Sequence, residues 1–249
     1  AWGFHTSRFP VATPQPDLAR IARLNARHPG MDDIRVAADG TVTSDNDAIA
    51  LDLDGLAEGY AAEQIAAILH AHGIGDAIVN IGGDVLALGN AAGRPWRVAI
   101  QDPRGGDPAS GAANALAAVQ LSGHEALFTS GDYHKYRNVH GRRWAHVLDP
   151  RTGMPKVNVG ATAVILDNAT RADVASTALM VAGPEDFARI ARSLHARCAL
   201  LLTDDDRLYI TQAMRNRITL LRKPAAITLI AGGSDGRDSL CAAPHFAAP

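Results

Sequence analysis

The residues best suited to chemistry are not spread along this 249-residue chain but gathered into four short segments between apolar runs. Glycine, aspartate, serine, threonine and histidine crowd into those segments, while strand-like and helix-like pieces alternate around them. After Gly55, the residues Ala61, Ile65, Ile68, Leu69 and His72 recur at helical spacing, and Gly73 supplies a stop. The run 77–81 reads as a strand, is interrupted by Gly82-Gly83-Asp84, and resumes over 85–88. Further strands are expected at 96–100, 116–121 and 161–166, a helix near Thr170, and another at Pro184, whose fixed φ suits a first helical turn. The apolar stretches 199–203 and 207–211 flank Asp204-Asp205-Asp206, which reads as a hairpin turn in preference to a metal cluster. Strands and helices mix without a regular βαβ rhythm, so the expected class is α+β.

Composition narrows the function classes. A net charge of −2, with no run of lysines and arginines, argues against a nucleic-acid partner. No stretch approaches the roughly 18 apolar residues of a membrane-spanning helix. The two cysteines, Cys198 and Cys241, are too few for a disulfide framework. Cys198 lies in an apolar run and reads as a small buried hydrophobe. The length allows one domain or two joined lobes. We expect a single domain over 1–230 and a frayed tail over 231–249, with a second loose segment at 104–113.

The first polar segment, 51–60, holds Asp52, Asp54, Gly55, Glu58 and Gly59 and runs into the first helix. Glycines at such a junction let backbone N–H groups approach a phosphate, although a plain turn gives the same pattern. In the second, Asn80-Ile81-Gly82-Gly83-Asp84, paired glycines point to a bulge or to something packed on the backbone, either a ligand or a helix. The third runs from Thr129-Ser130-Gly131-Asp132-Tyr133 to the stretch 146–155. There His146 could act as a base or hold a phosphate, or could simply bond within its turn. In the fourth, a helix would bring Asp173, Ser176 and Thr177 to one face, a hard-oxygen set suited to Mg²⁺. Thr170 with Asp173 also resembles a capping box.

Taken in this order, Gly59-Tyr60-Ala61, 80–84, 96–103, 129–133, 146–155 and 172–178 resemble the motifs of the ApbE family of FAD:protein FMN transferases, over roughly residues 2–221. The resemblance implies a Mg²⁺ ion, or Mn²⁺, held by Asp173 and Thr177 with Ser176 contributing and the Gly55 carbonyl completing the site. It implies FAD as substrate, with Asp52, Glu58, Gly82, Gly83, Asp84, Ser130, Gly131, Asp132, His146, Val147 and Thr152 at nucleotide positions. Glu58 stands where the family motif carries lysine. AMP would leave as a Ser or Thr hydroxyl of an acceptor flavoprotein, such as a membrane redox-complex subunit, attacks the FMN phosphorus. His146 or Asp173 would take the proton.

The alternatives are an FAD pyrophosphatase, with water replacing the acceptor, and a non-catalytic flavin-binding protein. The resemblance also implies a periplasmic or inner-membrane-anchored lipoprotein, with a cytoplasmic setting left open.

Overall fold

A computed structural model of the chain describes residues 2–4, 10–11, 16–105, 114–132, 135–231 and 241, with Arg142 described in its backbone alone. Most of the loose segment expected at 104–113, Tyr133, and the expected tail apart from residues 231 and 241 lie outside the described residues. Where the sequence suggested one domain over 1–230, the chain divides into two compact units: residues 1–53 with 134–157, and residues 54–133 with 158–249.

In chain order the elements are α1 (Leu18–Asn25), β1 (Ile34–Val36), β2 (Val42–Ser44), α2 (Asp54–Ala71), β3 (Ala77–Ile81), β4 (Asp84–Gly89), β5 (Trp96–Gln101), β6 (Ala115–Leu121) and β7 (Gly123–Gly131). Then come β8 (Tyr136–Val139), β9 (Arg142–Ala145), β10 (Leu148–Asp149), β11 (Met154–Pro155), β12 (Ala161–Leu166) and α3 (Ala169–Ser193). The last are β13 (Cys198–Leu202), β14 (Arg207–Thr211), α4 (Gln212–Arg217), β15 (Ile218–Leu220) and β16 (Ala226–Ile230).

The smaller unit holds α1 and three antiparallel pairs, β1–β2, β8–β9 and β10–β11. Trp2, Val11, Ile21, Ala145 and Val147 are buried in it. The Trp2 ring lies 5.5 Å from that of Trp144, and its Nε1 donates to the Gly153 carbonyl at 2.8 Å.

The larger unit has three layers. A seven-stranded sheet, in the order β16-β14-β13-β12-β7-β4-β3, carries α3 against β7 and β12 on one face. Its other face shares an apolar core with the three-stranded sheet β15-β6-β5: Ala163, Ile165, Leu200 and Leu202 meet Ile100, Leu116, Val119 and Leu121. Side chains alternate across a strand. All six residues of β12 are nevertheless buried, because 163 and 165 enter that core while Thr162 turns to the helix layer and donates to the Ser176 carbonyl.

Several expectations hold. The strands at 77–81 and 161–166 have the expected bounds, and Gly73, at φ 75°, ends the helix that includes α2. Gly183, at φ 72°, kinks α3 just before Pro184, which separates the two helices expected there. β13 and β14 pair as a hairpin with Leu200 opposite Ile210, so Asp204–Asp206 is a turn.

Other expectations are corrected. Gly82 and Gly83 do not bulge a strand; they are the two-residue turn of the β3–β4 hairpin, both at positive φ, with Ile81 opposite Asp84. α2 buries Gly59, Ala62 and Ala66, while Ile65 and Ile68 are exposed. Close approach to α3 selects small residues over bulky ones: a Cβ on Gly59 would collide with the Ala169 carbonyl. The cap of α3 is Asn168, whose side chain accepts from Arg171 N–H, in place of a Thr170–Asp173 box. Finally, Cys198 is buried as expected but bonded to Cys241 in a disulfide, with Cα atoms 6.0 Å apart.

Candidate functional site

The polar centre of the larger unit forms where α3 crosses α2 beside the end of β7. Asp173, on the first turns of α3, reaches across to accept the Gly59 N–H at 2.9 Å. In a regular helix that N–H would bond the Gly55 carbonyl. Sharing it with Asp173 leaves the Gly55 oxygen acceptor capacity, and Gly55 packs directly against the Thr177 side chain. Thr177 lies one turn beyond Asp173, as the helical spacing required.

β7 supplies the third side of the site. The Ser130 hydroxyl lies 2.9 Å from Ser176 Oγ and 3.1 Å from Thr177 Oγ1. Ser176 also donates to the Asp173 carbonyl at 2.9 Å, so its donor is committed to its own helix. This fully buried hydroxyl thereby holds Ser130 and Thr177 in place. Gly131 pairs with Ala161 in the sheet, and the Asp132 N–H donates to the Gly160 carbonyl at 3.2 Å.

The β3–β4 turn completes the cluster. Asp84 is buried and accepts both the N–H (2.7 Å) and the hydroxyl (3.0 Å) of Thr129. Glu58 lies against Gly82, where a Cβ would come within 3.3 Å of both its carboxylate oxygens. Gly83 N–H donates to Asn80 Oδ1 at 3.2 Å, and among the described residues nothing beyond its chain neighbours lies within 4 Å of a Cβ built on Gly83. A ligand could therefore approach the backbone closely there.

These carboxylates feel one another. Burial pushes Asp84 up to about 7; the bonds from Thr129 oppose this, and the charges of Glu58 and Asp173 add to it. Burial likewise raises Asp173, with the Gly59 N–H opposing and the Glu58 charge adding. A cation among them would relieve both the desolvation and the repulsion.

Among the described residues no group of three or more His, Cys, Asp or Glu side chains is arranged to hold a metal. The oxygens that do converge are of mixed kind, a carboxylate with hydroxyl and carbonyl oxygens. Asp173, Thr177 and Gly55 are such a set, and hard oxygens of this kind fit Mg²⁺, which keeps several waters.

The remaining residues singled out in the sequence, Asp52, His146, Val147 and Thr152, belong to the smaller unit. Asp52 is exposed, just before α2. His146 Nδ1 lies 3.2 Å from the Lys135 carbonyl, which can only accept, so the neutral ring carries its proton on Nδ1 and its lone pair on Nε2. Val147 is buried, and its carbonyl accepts from Lys156 N–H at 2.8 Å. Thr152 lies in the tight turn between β10 and β11, where Thr152 and Gly153 N–H both bond the Asp149 carbonyl. The Arg151 side chain beside Asp149 holds that carboxyl below its usual range.

Thr129, quoted in the third segment but given no role there, is the partner of Asp84. Two residues that the sequence did not single out also belong to the larger unit's cluster: Glu63 binds the start of α3, and His124 lies beside Glu63. Glu63 carried one visible signal, a carboxylate next to the small residues Ala62 and Ala66 on the buried face. The Asp84–Thr129 contact spans 45 residues and left no local trace.

Comparison with known proteins agrees with this architecture. The family model described as "ApbE family" matches residues 1–202. A protein named FAD:protein FMN transferase from Rhodobacter capsulatus is 41% identical over 243 residues, covering 97% of this chain and 45% of its own. One of the same name from Escherichia coli K12 is 35% identical over 195 residues, covering 77% and 53%. The chain thus spans about half the length of these relatives. The crystal structure of the ApbE protein of Thermotoga maritima superposes with a TM-score of 0.72 at 27% identity, covering 82% of this chain and 64% of its own. Apo flavinyl transferase ApbE of Pseudomonas stutzeri gives 0.67 at 31%, covering 82% and 62%. This chain belongs to the ApbE family.

Proposed function

We propose that this chain carries out Mg²⁺-dependent transfer of FMN from FAD to a Ser or Thr hydroxyl of an acceptor protein, with release of AMP. The observation that carries this reading is the convergence of Asp173, Thr177 and Gly55 beside Ser130 and the Gly82–Gly83 turn. It joins a hard-oxygen cation set to a glycine turn that a phosphate can approach.

Asp173, Thr177 and the Gly55 carbonyl would hold the cation. A Mg²⁺ or Mn²⁺ ion there would supply charge neutralisation at the pyrophosphate oxygens. Ser176 keeps Ser130 and Thr177 in register, and the clear space at Gly83 admits the nucleotide backbone. Asp52, Glu58, Asp84, Gly131, Asp132, Val147 and Thr152 keep the nucleotide-contact roles that the family resemblance gives them. The bond from the FMN phosphorus to the AMP oxygen breaks as the acceptor oxygen bonds that phosphorus. His146, with its lone pair on Nε2, is our assigned acceptor of the hydroxyl proton.

We further assign the chain to an oxidising, extracytoplasmic setting, as a periplasmic or membrane-anchored protein acting on a redox-complex subunit. Its buried disulfide supports this, since such bonds persist in oxidising compartments.

The test is mass spectrometry of a candidate acceptor incubated with the protein, FAD and Mg²⁺. A covalent FMN adduct on Ser or Thr, together with AMP, is expected. Free FMN and AMP without an adduct would replace transfer by hydrolysis. FAD binding with neither product would make the chain a flavin-binding protein.

A further inference from the structure

We propose that Glu63 is a positioning residue for the oxygen ligands on α3, setting the position of that helix against α2; the proposal rests on the cation-site reading above. The two helices exchange backbone hydrogen bonds reciprocally. Asp173 of α3 accepts the Gly59 N–H of α2 at 2.9 Å, and Glu63 of α2 accepts the Ala169 N–H of α3 at 2.5 Å. Gly59 and Glu63 are four residues apart, as are Ala169 and Asp173, so each helix offers one donor and one carboxylate a turn apart. Between the two bonds the backbones meet at Gly59 and Ala169, with no room for a Cβ on Gly59.

Ala169 is the first residue of α3, and its N–H has no partner within the helix. Asn168 caps the N–H of Arg171 instead, so Glu63 adds a second, independent hold on this end. A charged acceptor at a helix N-terminus is favoured by the helix dipole as well as by the hydrogen bond.

Glu63 also reaches the third wall of the site. Its Oε2 lies 3.1 Å from His124 Nε2 near the start of β7, and Ser130 near the end of that strand contacts Ser176 and Thr177. One carboxylate thus ties together α2, α3 and β7, the elements that carry Gly55, Asp173 with Thr177, and Ser130. Glu63 touches none of these four residues in the hydrogen bonds described. Its effect on them is carried by the placement of Ala169 and β7.

The two roles separate by substitution. Glu63→Gln keeps an oxygen for Ala169 N–H but loses the charge facing His124. Glu63→Ala loses both, and Glu63→Asp keeps the charge on a stem too short to reach. Metal-free protein of each form is titrated with Mn²⁺, with free Mn²⁺ followed by its paramagnetic resonance, and separately with FAD by flavin fluorescence.

Glu63→Ala and Glu63→Asp are expected to raise the half-saturating Mn²⁺ concentration about 10-fold or more, the scale for losing a support behind a metal ligand. Glu63→Gln should stay within about 3-fold of the parent, since the hydrogen bond to the helix end remains. Should Glu63→Ala fail to fold, the contrast between Asp and Gln decides. Parental Mn²⁺ binding in Glu63→Asp, or equal impairment in Glu63→Gln and Glu63→Asp, overturns the proposal. A parent protein that binds neither Mn²⁺ nor FAD overturns the cation-site reading itself, and this proposal with it.

Discussion

Asp173 carries two loads at once. In the function proposed above its carboxylate binds a cation, and in the structure it is the acceptor that joins α3 to α2 through Gly59. Asp173→Ala should therefore abolish metal-dependent turnover and also cost about 1 kcal/mol of stability, the scale of one lost hydrogen bond, since the Gly59 N–H keeps the Gly55 carbonyl within its helix. Asp173→Asn keeps an acceptor oxygen, so it should lose turnover while regaining most of that stability in urea titrations. Equal stability of the Ala variant and the parent would show that the Gly59 bond contributes nothing.

His146 separates the same way. If it takes the acceptor proton, His146→Gln should lower transfer roughly 100-fold or more while FAD binding is kept. Transfer at the parental rate would remove it from the mechanism.

Asp84 titrates near 7 when folded against an ordinary 3.8, so its sign is fixed. Between those two values the folded protein holds a proton that the unfolded chain has lost. Its contribution is fully present below about pH 4 and is lost as pH rises through about 7. In metal-free protein the urea midpoint should therefore fall across that range, and Asp84→Asn should flatten the fall. A parallel decline in both proteins would place the pH dependence elsewhere.

At the scale of elements, what could be read from the chain was what periodicity and turn chemistry encode. The strands 77–81 and 161–166, the hairpin across Asp204–Asp206 and the break at Gly183-Pro184 all have local causes. Asp173 and Thr177 were visible because helical spacing alone puts them on one face. The buried face of α2 was not visible. Ile65 and Ile68 look like a core stripe, whereas the packed face is Gly59, Ala62 and Ala66, whose small size matters only once α3 is present.

β7 was missed as a strand because His124, Glu125, Thr129 and Ser130 make it look polar. Each of them has a partner in another part of the chain. The helix crossing makes its own prediction. Gly59→Ala would gain about 1 kcal/mol of helix propensity, yet the added methyl meets the Ala169 carbonyl, where neither backbone can yield without moving Asp173. Overpacking of this kind costs about 1–3 kcal/mol. A net loss of stability with weakened Mn²⁺ binding is expected, and a stabilised variant with parental metal binding would mean the two helices are not in close contact.

At the scale of the whole molecule, the contacts that matter most join residues far apart in sequence, which no local pattern reports. The smaller unit draws 134–157 back to the first 53 residues. In the larger one, Cys241 returns to the apolar core among Leu200, Ile210, Met214 and Ile218, bonded to Cys198 across 43 residues of sequence. Counting two cysteines could not pair them, because a run of apolar neighbours explains burial equally well for a free thiol. The bond fixes Cys241 to the same sheet whose other face carries α3, so it bears on stability more than on the chemistry of the site. A cross-link of this span contributes about 2–4 kcal/mol, chiefly by restricting the unfolded chain. Thiol reductant, or Cys241→Ser, should lower the urea-derived stability by that amount, while FMN transfer at 25 °C stays within about twofold of the parent, since substitutions remote from a site act independently of it. If reduction abolishes transfer without lowering stability, the disulfide acts on the site directly and its role as a staple is wrong.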